Sequence, residues 1–276
     1  MSSQSILITG VNGLVGSLAY QQLISQKDKF DVFGLDRSVV LSDRLSEDSE
    51  HALSGDRLIV CDLSDSEGLK AACEGIDCVV HLAADPDAHA DWDSVLINNI
   101  SGTYNVLEAC RLAGVRRVIL ASSIHTANGH RADEPYRSIV AGTFDGNPTD
   151  IPKIRADQPP RPRSLYGASK VAVAALGRTY SEAHGLSCIC LRLGWVLAED
   201  RPPTLGDASI FLSQRDASQL IEKSILAPDD LRFDVFYGMS ANEQLWVDVG
   251  HARDVIGYAP QDGFGRNSTF RGCRCG

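Results

Sequence analysis

The sequence contains no apolar run approaching the roughly 20 residues of a membrane span. Its opening, MSSQSILITG, lacks a basic stretch followed by a long apolar one, so no export signal is expected. Positive charge is scarce as well. Lys and Arg number 26 against 36 Asp and Glu, a formal net charge of −10. That balance argues against nucleic acid and membrane as partners, and the acidity reads as solubility. Paired cysteines at metal-ligand spacing are also missing. Cys61, Cys73, Cys78 and Cys110 fall in expected strands and helices, and Cys188 and Cys190 share one face of a strand-like run. Cys273 and Cys275 form a C-x-C at the end with no second pair nearby. No metal site is expected. The eight cysteines, with no export signal, read as reduced thiols of a cytoplasmic protein.

What is present is an ordinary globular composition. Apolar residues make up 43% of 276, enough for one large core with a small appendage. Strand and helix signals alternate through the first two thirds. SILITG, DVFGLD, DRLIVCDL, DCVVHLAA, RRVILASS and LSCICLRLG read as strands. LVGSLAYQQLIS, SEGLKAACEG, WDSVLINNISGTYNVLEACRLAG and LYGASKVAVAALGRTYSEAHG read as helices, three of them ending in Gly75, Gly114 and Gly185. This order implies an α/β fold with a doubly wound parallel sheet. The proline-rich stretch 124–163 breaks the rhythm and reads as a long functional loop. Residues 1–194 are expected to form the dinucleotide-binding domain and 195–262 a small substrate-binding cap. The Gly- and Arg-rich tail 263–276 is expected to be disordered.

TGVNGLVG follows the first strand and opens the first helix. Gly10, Gly13 and Gly16, with Asn12, Leu14 and Val15 among them, have the form of a pyrophosphate cradle. Backbone N–H groups at a helix N-terminus favour an anion that approaches closely, and side chains would block it. Asp36 ends the second strand, twenty residues past Gly16. A carboxylate there accepts from both ribose hydroxyls and repels a 2′-phosphate, which favours NAD over NADP. Arg37 beside it is the feature that would tolerate the extra phosphate. Asp62 and Leu63 end the third strand, where an acid meets the adenine or caps the next helix.

SLYGASK places Tyr166 and Lys170 one helical turn apart. A phenol has a pKa near 10 and is a poor base at neutral pH. A nearby ammonium favours the phenolate and makes it a usable general base. The small residues between them are expected to leave room for ligands. Ser122 and Ser123 end the fifth strand, at a carboxyl edge where open sheets bind ligands, and a serine there can orient a substrate hydroxyl. Asn99, on the preceding helix, can hold backbone or water.

TGVNGLVG, HLAA, NNISGT, the SS edge and YGASK together resemble the extended short-chain dehydrogenase/reductases, over roughly residues 5–194. The resemblance implies a Rossmann fold binding NAD, with Ser123, Tyr166 and Lys170 as the catalytic set, Asn99 in support, and Leu82, Ala83 and Ala84 along the cofactor. A narrower set, including SSIHTANG, PPRPRSLYGASK, VFYGMSANEQLW and VIGYAPQD, is similar to uronate dehydrogenases and related NAD-dependent aldose or sugar-phosphate dehydrogenases. That implies oxidation of a sugar's C1 hydroxyl to a lactone in an enzyme that forms a homodimer or higher homo-oligomer. His125 falls where the subgroup has a substrate-contacting histidine, a position that also suits a loop-packing imidazole. The chain departs from the subgroup at Pro86, Ile124, Trp195 and Thr204, the last near the place of a carboxylate-clamping arginine. Trp195 then suits stacking on a sugar, and Arg201 is the substitute clamp. Two other readings use the same residues. One is a nucleotide-sugar epimerase or dehydratase, for which about eighty residues after Gly194 are few. The other is a non-catalytic NAD-binding protein, which has no use for a tuned phenol.

Overall fold

The computed structural model describes residues 3–45, 53 and 55–270. Among them, seven strands pair side by side, all parallel. These are β1 (Gln4–Thr9), β2 (Phe30–Asp36), β3 (Leu58–Val60), β4 (Cys78–His81), β5 (Arg117–Ser123), β6 (Ser187–Leu193) and β7 (Phe233–Gly238). Their order is β3-β2-β1-β4-β5-β6-β7, so the direction of travel reverses between β1 and β4. Strands β4 and β6 are buried at every position. That is why they read as continuous apolar runs rather than alternating ones, since helices cover both faces.

The helices are α1 (Leu14–Ile24), α2 (Ser66–Cys73), α3 (Trp92–Ser94), α4 (Gly102–Ala113), α5 (Tyr136–Val140), α6 (Leu165–His184), α7 (Leu205–Ala208), α8 (Gln214–Ile225) and α9 (Gly250–Ile256). Leu23 of α1 and Leu220 of α8 share one core layer with Ile189 and Leu191 of β6. Leu107 of α4 and Val173 of α6 share the other with Cys188 and Cys190, which lie on one face as the spacing implies. Between α3 and α4 the chain does not break. A π-helical stretch, Val95–Ser101, joins them into the one long element the sequence suggests. Helix α6 starts where Ser164 accepts Gly167 N–H at 3.0 Å and stops at Gly185, whose φ of +71° suits glycine.

Three features of the second half go beyond the sequence reading. The sheet does not end at Gly194: β7 extends it and α8 packs on α1, so much of 195–262 belongs to the same layered core. The proline-rich stretch is ordered. It begins with a 3₁₀ helix, Ile124–Ala132, and its apolar residues join a third cluster with Tyr237, Met239 and Trp246. Ile154 donates to Trp246 O at 2.9 Å, and Asp248 donates to Ile154 O at 3.0 Å. The tail is not free where it is described. Glu243 N–H donates to Phe264 O at 2.9 Å, and the Phe264 ring meets Phe211 edge-on at 5.2 Å. Phe264 supplies the buried contact that the surrounding Gly and Arg residues hide from a composition argument. Residues 271–276, with Cys273 and Cys275, lie outside the described residues. No described helix is long and apolar enough to cross a membrane.

Candidate active site

Where the strand order reverses, a cleft of about 1200 Å³ opens at the carboxyl ends of β1 and β4. Of the residues expected at the dinucleotide, Gly10, Asn12, Gly13, Leu14, Val15, Gly16, Asp36, Arg37, Asp62, Leu63, Leu82, Ala83 and Ala84 line it, whereas Asn99, Tyr166 and Lys170 do not. The glycines are required by close backbone approach. A Cβ on Gly10, at φ +71°, would lie 2.6 Å from Ala83 N, and one on Gly16 would lie 2.1 Å from Gly10 O. The turn therefore stays bare, and α1 opens directly behind it. This cradle fits a pyrophosphate at a helix N-terminus.

Asp36 stands at the end of β2 on the cleft wall. One carboxylate oxygen accepts Asn12 N–H at 3.0 Å and the other accepts Arg37 N–H at 2.8 Å. Asn12 in turn donates to Ser38 O at 2.7 Å. These bonds fix the acid where a ribose would meet it. Asp62 accepts from the Ser64 hydroxyl at 2.6 Å and from Ser64 N–H at 2.8 Å. Those bonds, with smaller help from Arg37, hold its carboxyl below the usual range. It does not cap α2; that role belongs to Asp65, which accepts Gly68 N–H at 3.0 Å.

Ser123, the last residue of β5, Tyr166 and Lys170 on the first turns of α6, and Asn99 in the π-helical stretch are brought together. Two bonds clasp α6 to the end of β5: Ser122 Oγ donates to Lys170 O at 3.0 Å, and Lys170 Nζ donates to Ala121 O at 3.0 Å. Asn99 is fully buried. Its side chain accepts Asp85 N–H at 2.7 Å, and donates to Asp85 O at 3.2 Å and to Ser169 Oγ at 3.0 Å. Ser169 Oγ donates onward to Tyr166 O at 2.7 Å. Asn99 thus ties the wall after β4 to the turn that carries the tyrosine. A π-helical irregularity is a common device for placing such a side chain. Behind it, a buried chain runs from Thr9 Oγ1 through His81 Nδ1 (2.8 Å) and His81 Nε2 to Thr103 Oγ1 (3.1 Å). Burial, and then Lys170, push the His81 pKa down to about 3, so this ring is neutral.

The electrostatics correct one expectation. The Tyr166 pKa is raised, because burial outweighs the groups that favour phenolate. The largest of those is a side-chain hydrogen bond with Ser123, followed by the charge of Arg44 on the cleft wall; Asp85 opposes them. Lys170 is turned toward Ala121 O, with Nζ 5.7 Å from the Tyr166 ring centroid. Its own pKa falls to about 8 through burial, Asp85 resisting. A second correction concerns the small residues of YGASK. Gly167 and Ser169 are buried against protein rather than open to ligands. A Cβ on Gly167 would lie 2.7 Å from His125 O, so the glycine lets α6 approach the 3₁₀ helix.

His125 stands edge-on to the Tyr166 ring, 5.2 Å between centroids. Burial, then Arg131 and His89, hold its pKa below the ordinary value. Trp195 lines the cleft at 40% exposure, whereas Arg201 is exposed and does not line it. Arg155 and Arg161 of the proline-rich stretch are taken up by Asp157 and Asp133. Sequence reasoning missed Arg44, Asp85 and Arg131. Arg44 and Arg131 sit in no motif, and Asp85 falls in ADPDAHADW without a role there; only the folded chain brings the charges of Arg44 and Asp85 to Tyr166 and that of Arg131 to His125.

Fold and site together define a Rossmann-type protein with a Ser–Tyr–Lys set beside a dinucleotide cradle at the switch crevice. The chain belongs to the NAD dependent epimerase/dehydratase family, whose model matches residues 6–256. It is 35% identical over 275 residues to a protein named NAD-dependent glucose-6-phosphate dehydrogenase from Haloferax volcanii, covering 98% of this chain and 97% of that one. An L-arabinose 1-dehydrogenase (NAD(P)(+)) from the same organism is 32% identical, over 93% of this chain and 96% of the other. Among solved structures, a uronate dehydrogenase from Agrobacterium tumefaciens complexed with NAD is 27% identical, with a TM-score of 0.74 over 95% of this chain and 86% of that one.

Proposed function

We propose that this protein is an NAD-dependent dehydrogenase that oxidises a ring hydroxyl, at C1, of a sugar, uronate or sugar phosphate to the lactone. The observation that carries the reading is the convergence of Ser123, Tyr166 and Lys170 at one sheet edge beside the glycine cradle. The named relatives, which are sugar and sugar-phosphate dehydrogenases, support it.

NAD⁺, when bound, supplies the acceptor for the hydride leaving C1. Gly10, Gly13 and Gly16 would hold its pyrophosphate, and Asp36 its adenosine ribose. Tyr166 takes the proton of the C1 hydroxyl onto its phenolate oxygen, so C1–H and O–H both break and a C=O forms. The Ser123 hydroxyl favours the phenolate and orients the substrate hydroxyl. Lys170 holds α6 against β5 through Ala121 O and adds positive charge near the phenol. Asn99 positions the turn through Ser169 and Asp85 and is a positioning residue. The expected homodimer has a surface to use: Ile97, Tyr104 and Leu112 of the long helix and Leu165 of α6 are exposed at 58%, 48%, 53% and 46%. The free, buried cysteines among the described residues suit a reducing, cytoplasmic setting.

The test is NADH absorbance with aldoses, uronates and sugar phosphates, for wild type and Tyr166→Phe. Wild type should produce NADH with at least one sugar. The variant should bind NAD yet lose about 10²–10⁴-fold in kcat, the usual worth of a positioned general base. Unchanged turnover in Tyr166→Phe would remove the phenol from this role.

A further inference from the structure

His81 is a buried histidine for which the proposed reaction has no use. It ends β4, directly before the cleft-lining Leu82 and Ala83, and its ring is bonded at both nitrogens. The bonds around it run in one direction. Thr103 Oγ1 donates its single proton to Asn99 O at 2.6 Å, so toward His81 Nε2, 3.1 Å away, it can only accept. The ring proton therefore sits on Nε2. Nδ1 of a neutral ring is then an acceptor, and the Thr9 hydroxyl donates to it at 2.8 Å. Thr9 Oγ1, its proton spent, accepts Ala83 N–H at 3.3 Å. Burial, and then the charge of Lys170, keep the ring neutral.

Both ends of this chain reach the site. Ala83 lines the cleft, and a Cβ on Gly10 of the cradle would lie 2.6 Å from the same Ala83 nitrogen. At the other end Asn99 continues the chain from its side chain, which donates to Ser169 Oγ at 3.0 Å, and Ser169 Oγ donates to Tyr166 O at 2.7 Å. Hydrogen bonds that all donate the same way thus lead from the cofactor wall to the turn carrying the tyrosine. Bonds aligned in this manner polarise and strengthen one another. Thr9, His81, Asn99, Thr103 and Ser169 are each at most 3% exposed, so bulk water does not reach a broken link.

We propose that His81 is a positioning residue whose Nε2–H tautomer fixes the spacing between the cofactor wall at Ala83 and the turn that carries Tyr166. The proposal rests on the dehydrogenase reading above. His81 acts through Thr103 and Asn99, not on the substrate. The other tautomer would leave Nε2 and the Thr103 oxygen as two acceptors face to face, because the Thr103 proton is spent on Asn99 O. Such a mismatch is relieved only by moving the Asn99 turn. A displacement of about 1 Å passed to a reacting group costs about 10²-fold in rate.

Two measurements test this. The first is nitrogen NMR of protein labelled at histidine, with the His81 signal identified by its loss in His81→Gln. The ring should carry its proton on Nε2 alone and keep that form from about pH 8 to about pH 5.5, a range in which a free imidazole titrates. The second is NADH kinetics on the best sugar, NAD titration and thermal melting for wild type, Thr103→Val, His81→Phe and His81→Gln. Thr103→Val keeps the branched shape and removes the hydroxyl. Its kcat should fall about 10–100-fold, while NAD affinity and the sugar KM move by less than about threefold. His81→Gln has one amide with an acceptor for Thr9 and a donor for Thr103, and it should recover part of what His81→Phe loses. Where His81→Phe fails to fold, Thr103→Val carries the kinetic test. A ring protonated on Nδ1, or one that titrates in that range, would overturn the proposal. So would wild-type kcat in folded Thr103→Val. Either result leaves the dehydrogenase reading intact. No NADH from wild type with any sugar would instead overturn that reading, and the positioning role with it, even with the ring proton on Nε2.

Discussion

Lys170→Met should make the protein more stable near pH 7 while crippling turnover. Lys170 is 5% exposed, with a single hydrogen bond, to Ala121 O at 3.0 Å, and no carboxylate at ion-pair distance. Burial draws its pKa from 10.5 to about 8. At about 1.36 kcal/mol per pKa unit, keeping the ammonium in the fold costs roughly 3 kcal/mol near pH 7. Methionine is unbranched and similar in length, so it fills the same space. It forfeits the bond to Ala121 O, worth about 1 kcal/mol. The net gain is about 2 kcal/mol, or roughly 4–6 °C in Tm for a chain of this size. The sign of the pH dependence is diagnostic. The folded pKa lies below the unfolded one, so between about 8 and 10.5 the unfolded chain binds the extra proton. Wild-type stability therefore rises with pH across that window, and the variant's advantage fades. Urea unfolding at about pH 7 and about pH 9.5, each compared with wild type at unchanged m-value, measures this directly. A variant no more stable near pH 7, or one whose advantage ignores pH, would refute the reasoning. The same variant should lose about 10²-fold or more in kcat, because the charge that burdens the fold is the one placed beside the phenol.

Asp36→Ala removes the carboxylate that accepts Asn12 and Arg37 N–H and leaves Arg37 without its acidic neighbour. NAD affinity should fall about tenfold and the preference over NADP should narrow, read by titration with each cofactor; an unchanged NAD:NADP ratio would remove Asp36 from the ribose. Light scattering should give twice the 29.8 kDa chain mass, and charging the exposed helix face with Tyr104→Glu should return it to one. A monomeric wild type would leave that face unexplained.

The sheet and the cradle were legible because their physical demands are local. A buried parallel strand needs a continuous apolar run, and a bare turn before a helix needs glycines at Gly10 and Gly16. Helix ends at Gly114 and Gly185 were legible for the same reason, since a left-handed residue there suits glycine. The proline-rich stretch was legible as a loop, but not its short helices and packing, which come from distant partners. Ile154 pairs with Trp246, and Gly129 with Arg161, across separations no local pattern encodes. Tyr166 and Lys170 were found by spacing, yet their electrostatics were not. One-turn spacing puts two groups on one face but does not say which acceptor the ammonium prefers, and Ala121 O, from another element, takes it.

The arrangement of charge explains why this site is costly to build and what restores the balance. On the outer surface, arginines meet aspartates and glutamates, as an acidic chain allows. Around the cleft, Arg37 and Arg44 do not, and Lys170 is buried with no carboxylate at ion-pair distance. Lys170 disfavours folding through desolvation, whereas Arg37 and Arg44 are exposed and solvated. They favour any occupant that brings negative charge, such as a dinucleotide's phosphates or an anionic sugar. Occupancy should then stabilise the fold by mass action, by about 2.7 kcal/mol at a hundred times the Kd. The charge that weakens the fold is therefore the charge held beside the phenol. At Lys170 the loss of stability and the charge beside the phenol have one physical origin, which is why Lys170→Met should shift stability and turnover together.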